Sequence, residues 1–368
     1  MVSVSSALKV EVAESFESAP GPEEWDALLR EAASDVVFLT REWQETWWES
    51  FQSQHCCQLK IVTVRADGGA LVGIAPLFIE QTPLPPIQAY EHGVPRPEHG
   101  EGEPLRLVRF VGGVEVADYL DIIAPAYLMR EAWSALLDYL LQHRTDWDAL
   151  DLHSLPEFSP SREALTSLAA EKGLGIEVVP EDVCPLIELP GDWETYLMGL
   201  RKKDRHELRR KVRKLEGRDD ARWYLVRTDD PGELERGMRA FIDLHRSSGL
   251  DKAQFMDERR AEAFMQMAAH MSRSGWLDLA VLSVHDEPAA AYLSFNYHGR
   301  LYLYNSGYDP KFAAYSAGVA LLAYRIHKAI LQGVKTFDFL RGDEEYKYDF
   351  GAKDTYVYRA VLQVVSGQ

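Results

Sequence analysis

The run TFDFLRGDEEYKYDFG, residues 336–351, decides the reading of this chain. Alternation places Asp338 between Phe337 and Phe339, so a strand here turns Asp338 to the face opposite two aromatic rings. Arg341, Gly342 and Asp343 then leave the strand, with Glu344 and Lys347 close behind. Strand ends and the loops after them are where α/β sheets present chemistry. Carboxylates beside a lysine supply a base for proton removal and a cation for developing negative charge. The competing explanation is an ion-pair cluster that closes the domain.

Outward from this run, Ser316 is placed to cap a helix that continues to Gln332 and is stopped by Gly333. Its small residues Ser316, Ala317 and Gly318 leave room for an anion at the helix start, where the dipole attracts negative charge. Before it, strands are expected at 277–284, 289–297 and 301–308, the last ending in Tyr304, Asn305, Ser306 and Tyr308. Helices are expected at 233–245 and 257–274. His245 closes the first of these, where a histidine most often serves as a helix-end cation.

The N-terminal half has the same outline. A strand at 8–12 precedes helices at 22–33 and 41–51, the second rich in tryptophan and capped by Thr40. Strands at 59–65 and 70–80 flank an ADGG turn, and further strands fall at 105–111 and 149–155, with a helix at 129–144 between them. The hairpin IVTVRADGGALVGIAPLF echoes AVLSVHDEPAAAYLSF. The expectation is a mixed α/β fold of two copies of one unit, 1–189 and 190–368.

A net charge of −18 argues against a general nucleic-acid coat or an anionic membrane surface. Residues 201–214, RKKDRHELRRKVRK, hold nine basic and two acidic residues against that background. With leucines on one face they form a basic amphipathic helix, either a solvated face or an anion site. Cys56, Cys57 and Cys184 show no metal-ligand spacing and read as free thiols in a reducing compartment. The loop EHGVPRPEHGEG, 91–102, reads as an acceptor-side loop rather than a metal site. No apolar run is long enough to span a bilayer, and the opening MVSVSSALKV has no export pattern, so a cytoplasmic protein is expected.

Four blocks carry a family resemblance: LRKKDRHELRRKVRKLE (200–216), FIDLHRSSG (241–249) with Phe255, LYLYNSGYDP (301–310) with Ser316-Ala317-Gly318, and FDFLRGDEEYKYDFG (337–351). They resemble the Fem-like branch of the GNAT acyltransferase superfamily, in particular its bacterial acetyltransferases linked to cellulose or other exopolysaccharide synthesis. The first half resembles it more loosely, through DYLD (118–121) and the tryptophan-rich helix.

The resemblance implies two tandem GNAT-like domains with central mixed sheets flanked by helices. It implies transfer of acetyl from acetyl-CoA to an amine of a sugar or cell-envelope precursor, without a metal. Asp338 or Glu344 would be the base, Lys347 would stabilise charge, and Tyr304 or Tyr308 would protonate the leaving thiolate. Ser316, Ala317, Gly318 and Asn305 would hold the donor, although only Gly318 and Ala320 remain of the family's phosphate signature. Arg205, Arg209, His245, Arg341 and Asp343 would hold the acceptor, and the first domain would be an acceptor platform. Two alternatives stay open: an aminoacyl-tRNA-dependent Fem-type peptidyltransferase, disfavoured by the net charge, and a non-catalytic partner in polysaccharide synthesis.

Overall fold

A computed structural model describes residues 8–51, 57–82, 104–113 and 116–364. The chain divides into two units, one running through Asp182 and resuming at Tyr356, the other spanning Val183–Thr355. The first unit holds β1 (Lys9–Ala13), α1 (Pro22–Glu31), α2 (Arg41–Phe51), β2 (Cys57–Arg65), β3 (Leu71–Thr82), β4 (Leu105–Phe110), α3 (Met129–Gln142), β5 (Ala149–Pro156), α4 (Ser161–Lys172) and β6 (Leu174–Val183). The second holds β7 (Leu186–Glu188), α5 (Trp193–Gly199), α6 (Lys202–Leu215), β8 (Ala221–Leu225), α7 (Pro231–Ser247), α8 (Leu250–Phe255), α9 (Glu258–Arg273), β9 (Leu277–Val284), β10 (Glu287–Tyr297), β11 (Arg300–Tyr308), α10 (Ala317–Leu331), β12 (Thr336–Asp338) and α11 (Glu345–Asp349). The last strand, β13 (Tyr356–Val364), was expected in the second domain but pairs with β5 in the first unit's sheet.

The two sheets run β1-β2-β3-β4-β5-β13-β6 and β7-β12-β11-β10-β9-β8. The repeat is legible in them. In each, three antiparallel pairings are followed by one parallel pairing across a helix: β4 with β5 around α3, and β11 with β12 around α10. The echoed segments are the hairpins β2–β3 and β9–β10. The β9–β10 turn is the two-residue kind, with His285 and Asp286 both at positive φ, while the longer β2–β3 turn uses Gly68 and Gly69 at positive φ.

Local chemistry sets the element ends. Asp230 caps α7 by accepting from Gly232 N and Glu233 N, with Pro231 in the first turn. Gly333, at φ 75°, ends α10 while Val334 N donates to Ala329 O and Gly333 N to Ile330 O. The basic run forms one helix, α6, with Arg201 at its cap, and extended Leu200 separates it from α5.

The first unit's core gathers Trp25, Trp133 and Trp147, and each indole N–H finds an acceptor. Beneath them Asp121 of the DYLD segment is fully buried. It accepts from Ser34 Oγ (2.7 Å), Ser161 Oγ (2.5 Å), Ser159 Oγ and Ile122 N (2.8 Å). Burial pushes its pKa up, and those four donors work against the shift. The second unit's core packs α10 and α6 on one face of the sheet, through Leu321, Ile326, Leu208, Leu282 and Phe337.

Candidate active site

The site is built on a divergence. β11 pairs β10 along its whole length but pairs β12 only from Arg300 to Tyr302. Past Tyr302 no strand lies on that edge among the described residues. Tyr304 is the extra residue of a bulge, since Leu303 faces Ser294 and Asn305 faces Leu293. In an antiparallel pair each residue presents its N–H and C=O to the same side. Asp309 N bonds Ala289 O, so Ser306 and Tyr308 turn their backbone groups away from β10.

The end of α7 and the start of α8 cover this part of β11. Gly307 permits the approach: a Cβ there would lie 2.4 Å from His245 N and 2.6 Å from Leu244 C. Ser248 Oγ accepts from Tyr308 N (2.9 Å) and lies 3.2 Å from Tyr308 O. Lys252 Nζ donates to Ser306 O (2.7 Å) and Ser306 Oγ (3.2 Å), while Ser306 N donates to Asn305 Oδ1 (2.9 Å). Burial pulls the Lys252 ammonium down in pKa, against the nearby Glu344 carboxylate. Burial, then the Lys252 charge, push His245 down to about 4. Lys252 was not legible from its residues alone, because an exposed-looking DKAQF segment carries no pattern that aims one lysine inward.

Beside β11, β12 leads into residues 339–351. Asp338 is fully buried, accepts from Leu340 N (2.8 Å) and pairs with Arg300 at 3.5 Å. It holds a turn in which Leu340 takes φ 58°. Lys347 is equally buried. Its Nζ donates to Leu340 O (3.2 Å), Arg341 O (2.8 Å) and Gly342 O (2.8 Å), and pairs with Glu344 at 2.8 Å. Lys347 therefore ties the loop together from inside, and Glu344 and Asp343 stand exposed outside it. Arg341 is half-buried. Tyr346, also missed in the sequence, has its pKa raised by burial and by Glu344, while burial, and then Tyr346, raise that of Tyr292.

Tyr292 Oη donates to Gly318 O (3.1 Å) at the start of α10. Ser316 occupies the cap position at φ 54°, but its side chain makes no capping bond, unlike the cap expected of it. The first N–H groups of α10 are thus left uncapped by protein side chains. A Cβ at Gly318 would meet nothing closer than Tyr292 Oη at 3.7 Å, and Ala317 is buried. Tyr304 points elsewhere, with its ring 5.2 Å from Phe295 and 5.6 Å from Phe264, whereas Tyr308 is exposed.

The basic helix divides its cations. Arg205 Nη1 lies 3.4–3.5 Å from Leu197 O, Met198 O and Leu200 O, closing the end of α5. Arg209 pairs with Glu194 on the surface. Neither joins the β11–β12 site in the contacts it makes. Lys214 donates to Ala314 O in the turn before α10.

A second charged cluster lies on the first unit's sheet. Asp151 accepts from Arg109 Nη2 (2.9 Å) and Arg359 Nε (2.7 Å), and His153 bridges Asp151 (3.0 Å) and Glu181 (2.5 Å). Burial pulls the His153 pKa down, but its bonds to Asp151 and Glu181 outweigh that and raise it. The two histidines therefore shift in opposite directions from 6.5. His153 contributes stability below 6.5 and loses it as pH rises through its raised pKa. His245 contributes stability above 6.5 and loses it as pH falls from 6.5 to about 4. Histidine-resolved NMR across pH is the check: one resonance titrating above 6.5, one near 4. Titration of both near 6.5 contradicts these environments.

The histidine-rich loop at 91–102 lies outside the described residues, as does Cys56. Among the described residues no group of three or more His, Cys, Asp or Glu is placed to hold a metal ion. No described helix is long and apolar enough to cross a membrane.

Residues 202–348 match the family model described as an acetyltransferase (GNAT) domain. No curated protein sequence matches the chain. Among solved structures, the chain is similar to FemX at 13% identity, covering 93% of this chain and 96% of that one, with a TM-score of 0.62. A conserved protein of unknown function from Bacteroides thetaiotaomicron is similar at 10% identity, over 96% and 100% of the two chains, with a TM-score of 0.57. So is the C-terminal domain of a putative lysylphosphatidylglycerol synthetase from Agrobacterium fabrum, at 11% identity over 92% and 90%, with a TM-score of 0.51.

Proposed function

With a GNAT domain in its second unit and the Fem-like fold along its length, we propose that the protein is an N-acyltransferase that moves acetyl from acetyl-CoA to an amine of a sugar or cell-envelope precursor. The observation that carries this reading is the parting of β11 from β12 after Tyr302 and Asp338. It leaves a strand edge, and the same unit supplies the half-exposed Glu344 carboxylate, which acts on Lys252 at that edge, and an uncapped helix start at α10. The uncapped N–H groups of α10 and the open space at Gly318 suit a donor phosphate.

In this reading Glu344 takes the proton of the attacking amine as its nitrogen bonds the thioester carbon. Its side chain is 58% exposed, so an acceptor can reach it. Buried Asp338 and Lys347 hold the loop that presents Glu344. Tyr346, beside Glu344, replaces Tyr304 and Tyr308 as the candidate that protonates the departing thiolate. His245, Arg341 and Asp343 stay candidates for the acceptor side, and Arg205 leaves that role for a structural one. The first unit remains the proposed acceptor platform.

Calorimetry with acetyl-CoA, CoA and a charged tRNA tests the donor. Heat from both CoA species and none from tRNA is expected, and silence from both CoA species overturns the donor. Glu344→Gln is expected to lower kcat by about 10²–10⁴-fold without weakening CoA binding. A second reading, with aminoacyl-tRNA as donor, draws on exposed Lys202 and Lys203 of α6. Tight tRNA binding that falls steeply with salt favours it.

A further inference from the structure

The edge of β11 beyond the divergence is already satisfied by the protein's own side chains. At Ser306 the carbonyl accepts from the Lys252 ammonium and the N–H donates to the Asn305 carboxamide. At Tyr308 the N–H donates to Ser248 Oγ. These are the hydrogen bonds that a neighbouring extended chain gives to alternate residues of an exposed strand edge. The partners come from three separate places, α7, α8 and β11 itself, and converge on one edge over three residues.

The two ends of this arrangement differ in cost. Ser248 is a neutral hydroxyl that also donates to Leu244 O (2.7 Å), so it stays anchored to its helix whatever lies on β11. Lys252 has no such anchor among its hydrogen bonds. It is a charged group drawn out of water, and its desolvation is offset by Ser306 and by the Glu344 charge. A neutral amide N–H on Ser306 O releases that ammonium toward Glu344 and solvent. An acyl-pantetheine arm is an extended chain carrying two amides.

We propose that Lys252 sets the affinity and selectivity for the donor, by holding on Ser306 O the place that an amide of the pantetheine arm takes. This rests on the acyl-CoA reading above. Donor binding is then an exchange. The arm's N–H replaces Lys252 Nζ, and a thioester whose carrier has no amide cannot make that exchange and binds poorly.

The test uses the full chain and two probes, CoA and neutral pantetheine, so that phosphate contacts are separated from the arm. Lys252→Met leaves Ser306 O without a donor, and both probes are expected to bind roughly five- to tenfold tighter than to the natural protein. Lys252→Gln restores a donor and is expected to return the affinity to the natural level, which a purely structural role for residue 252 does not predict. A readout free of any substitution runs beside these: reductive methylation of Lys252, followed by mass spectrometry, is expected to speed up on saturation with desulfo-CoA. Unchanged or weaker binding by Lys252→Met, or unchanged or slower methylation, overturns the proposal and leaves the acyl-CoA reading standing. No binding of CoA or pantetheine by any of the three proteins overturns both.

Discussion

Gly307→Ala is expected to remove nearly all activity and to destabilise the second unit by about 3 kcal/mol. The added Cβ meets His245 N at 2.4 Å, Leu244 C at 2.6 Å and His245 Cα at 2.9 Å. All three are backbone atoms of a helix, so no rotamer change relieves the contact. Strand and helix have to part by about an ångström, and Ser248 and Lys252 leave the β11 edge with the helix. A displacement of that size in a catalytic site costs on the order of 10²-fold in rate. Gly318→Ala is the matched control for folding, because its Cβ has 3.7 Å of clearance. Denaturant unfolding and steady-state rates on both variants decide the matter. Natural stability and rate in Gly307→Ala contradict the close approach of α7.

Asp278→Ala is expected to cost about 3–5 kcal/mol in the second unit, whereas replacing both Asp278 and Arg325 with apolar residues costs little or stabilises. Arg325 of α10 is 1% exposed and donates through Nη2 to Asp278 Oδ2 at 2.7 Å. Arg325 Nε and Nη1 and Asp278 Oδ1 are buried with no hydrogen-bond partner. One bond therefore offsets the desolvation of two ions, and burial pushes the Asp278 pKa up against the pull of Arg325. Removing one partner strands the other, while Asp278→Leu with Arg325→Met removes both costs together. The unfolding midpoint of the double variant measures this, and a double variant as unstable as the single one refutes it.

Much of the architecture was legible because its signals are local. Turn-bounded apolar runs marked β9, β10 and β11, the ADGG and HDEP turns closed both hairpins, and Gly173 and Gly333 ended their helices at positive φ. What escaped was set by distant partners. β13 reads as a strand, but its membership in the first sheet depends on pairing with β5, some 200 residues earlier in the chain. The break between α5 and α6 is stabilised by Arg205 reaching back to carbonyls, in a segment whose leucine spacing suits one continuous helix. At the proposed site, the run 336–351 holds its candidate residues at very different depths. Asp338 is fully buried, and Lys347, at 2% exposure, donates to backbone carbonyls. Lys252 and Tyr346 gain their setting from contacts across the fold, which no local spacing encodes.

The position of β13 also has a consequence in time. The second unit is inserted between β6 and β13, both strands of the first unit's sheet. During synthesis, every residue of the second unit leaves the ribosome before the strand that sits between β5 and β6 exists. The unit that begins first is therefore completed last, and its sheet must wait with a gap while the second unit folds.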